Sequence, residues 1–484
     1  MKNYNFPKCY EKISDEFKVT ANGEQIGVYK CRVSAHPLNQ EWPGYQRPLY
    51  QTEQTSYIML GSDKEVTLDI EVKKEFENVI VRPLSKNVKA NVSDGCVKVT
   101  FPGVGQYSVE FDGIHHTLAV FINPEKNFNI DTDSPDVIYF GPGVHTISNK
   151  IELLDNQTVF IDEGAILYGG ISAMEKKNIT VLGYGIIDNS KMIRDTVDCY
   201  LPKDEEWYGT PLFFEKCENI KVEGVTVVDS SCFSIHVDGC KNFDADNVKL
   251  IGMWRYNSDG CDMCNCINAS IRNSFLRTFD DSIVVKGLVT NMDLPVENIT
   301  AENCVVWCDW GRALEIGAET CAPYMKNIVF KNCDLIHGAH LMMDIQHGDK
   351  ALVSDVLFED IRVEYTGIEH EPVFQSYKDQ IYDDPQRGFL PFLFGIMTRV
   401  SHWSHDGYAG DIKDIYFKDI TVTVDNGKVP PSEITIYNTD NPSVIDNIHF
   451  DNVVINGEKV NFEGMNITVG NGVGNVYIDG KKVN

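Results

Sequence analysis

From Tyr256 to Gly287 the chain reads YNSDGCDMCNCINASIRNSFLRTFDDSIVVKG, and four of these residues are aspartates: Asp259, Asp262, Asp280 and Asp281. Two of them are adjacent within an otherwise β-branched and apolar stretch. Neighbouring carboxylates repel and form strands poorly, so the pair marks either a solvated turn or a set of working acids. Clustered carboxyls do two kinds of chemistry. They hold a cation, or they divide into a proton donor and a base.

Five segments of similar alternation set the context: FSIH (233–236), DGCD (259–262), DSIV (281–284), RALE (312–315) and LMMD (341–344). Superposed, they place Phe233, Asp259, Asp281, Arg312 and Leu341 in one column. His236, Asp262, Val284, Glu315 and Asp344 form another. If the segments stack as strands about 4.8 Å apart, Asp259 lies over Asp281, and Asp280 flanks both. Like charges this close raise at least one pKa. Inverting glycoside hydrolysis needs that arrangement, with one carboxylic acid for the leaving oxygen and one or two carboxylates for water. The catalytic candidates are therefore Asp280, Asp259 and Asp281. Asp262, Arg312, Glu315, Asp344, His347, His236, Lys286, Trp310 and Trp403 are the candidates for lining a substrate pocket. Trp254, Trp307 and Trp310 flank the expected face, either stacking on sugar or packing under loops.

What stacks these segments is a repeat. NFDADN, NASIRN, NITAEN, NIVFKN, DVLFED, DIYFKD and NIHFDN begin at Asn242, Asn268, Asn298, Asn327, Asp355, Asp414 and Asn447. NITVLG and NIKVEG, at Asn178 and Asn219, are earlier copies ending in Gly. Each alternates as one short strand, and intervals of roughly 25–30 residues fit the coils of a parallel β-helix. Asn247, Asn273, Asn303 and Asn332 are then expected to form an asparagine ladder. Cys217, Cys240 and Cys266, each two residues before the repeat Asn, should stack inside. That accounts for CDMCNC (Cys261, Cys264, Cys266) as packing; no second Cys or His pair follows at zinc spacing. The sequons at Asn156, Asn178, Asn298 and Asn466 are expected to be unmodified.

The first 131 residues lack the repeat. EVTLDIEVKK, NVIVRP, CVKVTF and QYSVEF alternate between turn signals, as in an antiparallel β-sandwich. The expected architecture is all-β, a sandwich over 1–131 followed by a right-handed parallel β-helix over 132–484. The segment 365–412 interrupts the repeat and is rich in aromatics and His (Tyr377, Tyr382, Phe389, Phe392, His402, Trp403, His405, Tyr408). It reads as a binding wall, a cap or an oligomer contact.

The composition, 43% hydrophobic and 24% charged, is that of a globular protein. A formal net charge of -28 argues against nucleic acid and anionic membranes. No apolar run is long enough to span a membrane, and the start has no apolar signal region. A cytoplasmic location is expected, with most of the 14 cysteines reduced and buried.

NSDG (257–260), followed about twenty residues on by Asp280–Asp281, resembles the polygalacturonases of glycoside hydrolase family 28. The leading sandwich, joined through IYFGPGVHTI and EGAILYGG, is similar to the dextranases and isopullulanases of family 49. The resemblance implies that Asp280 is the general acid and that Asp259 and Asp281 hold and activate water. Stacking in one column independently suits two carboxylates sharing one water. The sequence also departs from the polygalacturonase pattern. Arg312 stands where that family has a His, and MMDIQHG replaces its basic Arg-Ile-Lys. A neutral sugar, α-glucoside-like, is therefore expected rather than a uronate, although Lys286 and Arg312 leave an anionic group open. No cofactor or metal is expected. The rivals are an exo-acting galacturonide hydrolase, a β-helix lyase, epimerase or fructotransferase, and a non-catalytic carbohydrate-binding solenoid. A Ca²⁺ requirement would favour the lyase. Oligomeric state is not set by the sequence.

Overall fold

A computed structural model describes residues 1–35, 49–93, 95–192, 210–365, 390–425, 428–437 and 443–484. Tyr377, Tyr382 and Phe389 lie outside the described residues. The N-terminal part is two packed sheets. One is built around Thr52–Gly61, Gly105–Phe111 and Thr117–Asn123; the other around Phe17–Ala21, Val66–Val72 and Cys96–Phe101. Their inward faces share a core that includes Val19, Ile58, Leu68, Val99 and Val120. The pairings are antiparallel except between Thr117–Asn123 and Thr52–Gly61, which run parallel.

From Val137 onward the strands belong to one continuous sheet, wound as a right-handed parallel β-helix. Pairing recurs every third strand. Ile235–Asp238 pairs with Cys261–Cys264, Lys241–Asp246 with Ile267–Arg272, and Lys249–Ile251 with Phe275–Thr278. Each such coil thus has three faces. The repeat had suggested one strand per coil, because only the middle face carries the Asn-bounded alternation. The other two faces are short and buried on both sides, which hides the period of two.

The repeat asparagines sit in left-handed backbone, with φ near 58° at Asn178, Asn242 and Asn268. Asn tolerates this conformation better than other side chains bearing a Cβ. Their amides bond from coil to coil: Asn178 to Asn156, Asn219 to Asn178, Asn242 to Asn219, Asn268 to Asn242, Asn298 to Asn268 and Asn327 to Asn298. The expected ladder at the other corner is shorter. Asn303 donates to Asn273 at 2.7 Å and Asn332 reaches Asn303 at 3.5 Å, whereas Asn273 turns to Asp246 and Asn247 to Asn123 of the sandwich. Replacing Asn268 by Ala removes two ladder bonds and places a Cβ-bearing residue without an amide in left-handed backbone. A loss of about 1–2 kcal/mol is expected, read as a lowered denaturant midpoint.

Cys217, Cys240 and Cys266 are buried in the helix core, and the Cys217 N–H donates to Cys240 Sγ at 3.2 Å. Cys261 and Cys264 are buried as well.

The sandwich covers the third face of the helix. Tyr4, Tyr29, Tyr57 and Phe121 pack against Tyr184, Val228, Ile251, Phe275 and Trp307. A buried ion cluster crosses the same boundary, with Arg82 at 2.8 Å from Glu110 and 2.5 Å from Glu364. The first face, which carries the aspartate columns, lies outside this interface.

Candidate active site

The register of the first face places the candidate carboxyls. His236 pairs with Asp262, Asp262 with Val284, Val284 with Glu315, and Glu315 with Asp344. Three positions earlier in the coils, Asp259, Asp281 and Arg312 follow one another through backbone bonds, Gly260 N–H to Asp281 O and Ser282 N–H to Arg312 O. Two glycines make this stacking possible. A Cβ on Gly260 would sit 2.2 Å from Ser282 O, and one on Gly311 would sit 2.5 Å from the Asp281 carboxylate.

Asp259, Asp280, Asp281, Lys286, Trp310, Arg312, Glu315 and Trp403 line one pocket, together with Asn257, Ala318, Glu319 and Gln346. Asp280 is held by two backbone donors: Asn257 N–H at 2.9 Å and Asp281 N–H at 3.1 Å. The left-handed turn at Asn257, φ 56°, supplies the first. Burial, then the charges of Asp259 and Asp281, push Asp280 well above the usual carboxylate range. Burial would also raise Asp281, but Arg312 and Lys286 outweigh it and hold Asp281 below that range. Its Oδ1 accepts the Arg312 backbone N–H at 3.0 Å and lies 3.7 Å from the guanidinium. Asp280 and Asp281, adjacent in sequence, are thus pushed in opposite directions, which separates a proton donor from a base.

Lys286 stands 3.1 Å from Asp259, 3.3 Å from Asp262 and 4.0 Å from Asp281. One cation cannot neutralise three carboxylates. Burial, with the neighbouring acids, therefore raises Asp259 and Asp262 despite it. Arg312 stands 3.5 Å from Asp344, 3.7 Å from Asp281 and 3.8 Å from Glu315, and donates to Gln346. Burial lifts Asp344 to about 7 against the pull of Arg312.

Asp262 and Asp344 are buried beneath the pocket rather than on its wall, supporting Lys286 and Arg312. His236 is also off the wall. It packs edge-on to Phe213 and Phe233, and burial, with Lys286 and Lys150, lowers it to about 3. His347 is fully buried, hydrogen-bonded to Thr320 Oγ1 and lowered by burial to about 4. It follows Asp344 by three residues, so strand alternation turns it to the opposite face. Of the tryptophans, Trp310 reaches the pocket, stacked on Phe279. Trp254 is buried with its indole N–H on Asp229, and Trp307 lies in the interface with the sandwich.

The segment after Phe392–Thr398 brings Trp403 to the pocket. Its anchor is Asp349, whose carboxylate accepts the backbone N–H groups of His405, Asp406 and Thr320. Asp349, Cys321 and Asp406 are the one group among the described residues whose ligand atoms converge as a metal site would require. Those bonds already engage Asp349.

Sequence reading missed Glu319, Ala318 and the orienting N–H of Asn257. Glu319 and Ala318 follow a register shift between Val285 and Gly287 of the neighbouring strand, which no periodicity reveals. Asn257 was visible in NSDG, but its backbone role was not.

Residues 154–383 match the family model described as Glycosyl hydrolases family 28. The chain is 20% identical over 424 residues to an isopullulanase from Aspergillus niger, 70% of each chain. It is 25% identical over 192 residues to a polygalacturonase from Arabidopsis thaliana, 38% of this chain and 42% of that one. Among solved structures, Dex49A from Penicillium minioluteum shares the fold with TM-score 0.68 at 14% identity, covering 96% of this chain and 93% of that one.

Proposed function

We propose that this chain, a glycoside hydrolase carrying a family 28 domain, cleaves a short oligosaccharide of neutral sugar, α-glucoside-like, with inversion at the anomeric carbon. Asp280 gives its proton to the leaving glycosidic oxygen. Asp259 and Asp281 hold a water on the opposite face of the sugar, and Asp281 takes its proton as the water oxygen bonds to the anomeric carbon. After turnover Asp280 is ionised and Asp281 protonated, and exchange with solvent resets both.

The observation that carries the neutral-sugar reading is the state of the two pocket cations. Lys286 and Arg312 are each committed to carboxyl groups of the chain itself, so neither cation is left to pair with the carboxylate of a uronate. The isopullulanase similarity points the same way. The polygalacturonase similarity supports the second reading, an exo-acting galacturonide hydrolase.

Trp403 and Trp310 offer aromatic surface at the pocket rim. Trp403 lines the pocket from the loop that Asp349 anchors, and exo-action on short chains follows if that loop closes one end of the cleft. Trp403→Ala is expected to raise KM about tenfold, the equivalent of one aromatic contact, with kcat little changed. A panel of short α-glucosides, galactosides and galacturonides tests the substrate class. Turnover of a neutral sugar, releasing one terminal unit at a time, supports the reading. Turnover confined to galacturonides would overturn the charge argument, and a mixed ladder of internal products would overturn exo-action.

A further inference from the structure

We propose that Glu315 is held protonated and donates a hydrogen bond to Asp281, a positioning role that keeps Asp281 ionised. What the ionised Asp281 then does rests on the hydrolytic reading above; where the proton sits does not.

Glu315 is 1% exposed and stands on the pocket wall. Among the described residues, neither of its carboxyl oxygens meets an N–H or O–H donor. Its nearest cation, Arg312, is 3.8 Å away, beyond hydrogen-bond reach, and is already divided among Asp344, Asp281 and Gln346. The other groups on this side of the pocket are Asp281 and Lys286 from the preceding coil, and Asp344, Gln346 and His340 from the following one. The one further cation, Lys286, is committed to Asp259 and Asp262. His340 is held neutral, burial lowering it to about 3.

A charge balance gives the same result. Among the described residues, the cations within 4.0 Å of Asp259, Asp262, Asp281, Glu315 and Asp344 are Lys286 and Arg312, and the same two act on Asp280. Buried charge without partners is expelled or neutralised. Protons on the carboxyls supply that neutralisation in the reading proposed here. Asp281 has the strongest claim to remain charged, with a backbone N–H at 3.0 Å and two cations within 4.0 Å. Glu315 has the weakest. Asp281 and Glu315 share one pocket wall, and both lie within 3.8 Å of the Arg312 guanidinium; carboxyls so placed resolve into an acid that donates and a carboxylate that accepts. Burial and the Asp281 charge raise Glu315, while Arg312 opposes them. A hydrogen bond given to the ionised form lowers the acceptor's pKa in turn.

Infrared difference spectra of the whole protein at neutral pH, without added sugar, locate the proton. Wild type minus Glu315→Gln should show one protonated-acid C=O band present in the wild type and absent from the variant. Loss of a carboxylate band instead would overturn the proposal. Glu315→Ala gives the same difference if the Gln variant does not fold. A second readout separates positioning from simple packing. With the neutral sugar found in the panel, the acidic limb of the pH–rate profile should move up by about one pH unit, tenfold in proton concentration, in Glu315→Ala. It should stay near wild type in Glu315→Gln, whose amide still donates. Equal displacement in both variants would contradict the donor role. Silence across the panel would count against the hydrolytic reading and leave the infrared result to decide the proton.

Discussion

Replacing Asp280 with Asn lowers kcat by about 10³-fold, the scale of a lost general acid, and leaves KM within a few-fold of wild type. The amide preserves the shape of the side chain, and its carbonyl oxygen still accepts one backbone N–H. It has no proton to give at the moment the glycosidic bond breaks. The expectation follows from the opposite environments of two adjacent residues. Asp280 is raised by burial and by its acidic neighbours, whereas Asp281 is lowered by Arg312 and Lys286. A substrate with a better leaving group needs less protonation, so an activated aryl glycoside of the same sugar should recover part of the loss. Steady-state kinetics on the two substrates measures both effects. Equal loss on each would contradict an acid role for Asp280.

Replacing Lys286 with Met should destabilise the protein by about 3–5 kcal/mol at neutral pH, the consequence of leaving buried carboxylates without their cation. Lys286 is 4% exposed and lies within 4.0 Å of three aspartates. The pH dependence has a definite sign. Against burial, Arg312 and Lys286 hold the folded Asp281 below the usual carboxylate range, and removing Lys286 lets that value rise. A group lowered on folding contributes stability that is present above the unfolded carboxylate value, about 4, and is lost as pH falls through the folded one. The variant forfeits part of that contribution, so its deficit is smallest in acid, where Asp281 is protonated in both proteins. Denaturant midpoints of wild type and variant should converge in acid and separate toward neutrality. A separation independent of pH would mean that Lys286 acts by packing over Phe233, where its ammonium lies 4.6 Å from the ring centre, rather than as the counter-ion.

The columns were legible because a parallel coil stacks equivalent residues and a strand alternates with period two. His236, Asp262, Val284, Glu315 and Asp344 follow from those two rules, and the structure pairs them in that order. His347 could have been excluded by the same alternation, since it has opposite parity to Asp344 and Gln346. His236 has the right parity, but Phe213 and Phe233 pack edge-on against its ring, and aromatic cover from another coil leaves no mark in a local pattern. Trp254 and Trp307 were unreadable for a related reason. Their partners, Asp229 for one and the sandwich for the other, are distant in sequence. The roles of Lys286 and Arg312 were half visible. Their types and positions showed, but their commitment to carboxylates appears only when distances are known.

The most direct test of the account is the anomeric configuration of the first product. With an α-linked substrate from the panel, proton NMR during the first minutes, before mutarotation, should show the β anomer at the newly formed reducing end. That result is what water delivered by Asp259 and Asp281, opposite the leaving group protonated by Asp280, must give. Initial appearance of the α anomer would require a covalent glycosyl intermediate and would contradict the assignment of these three aspartates.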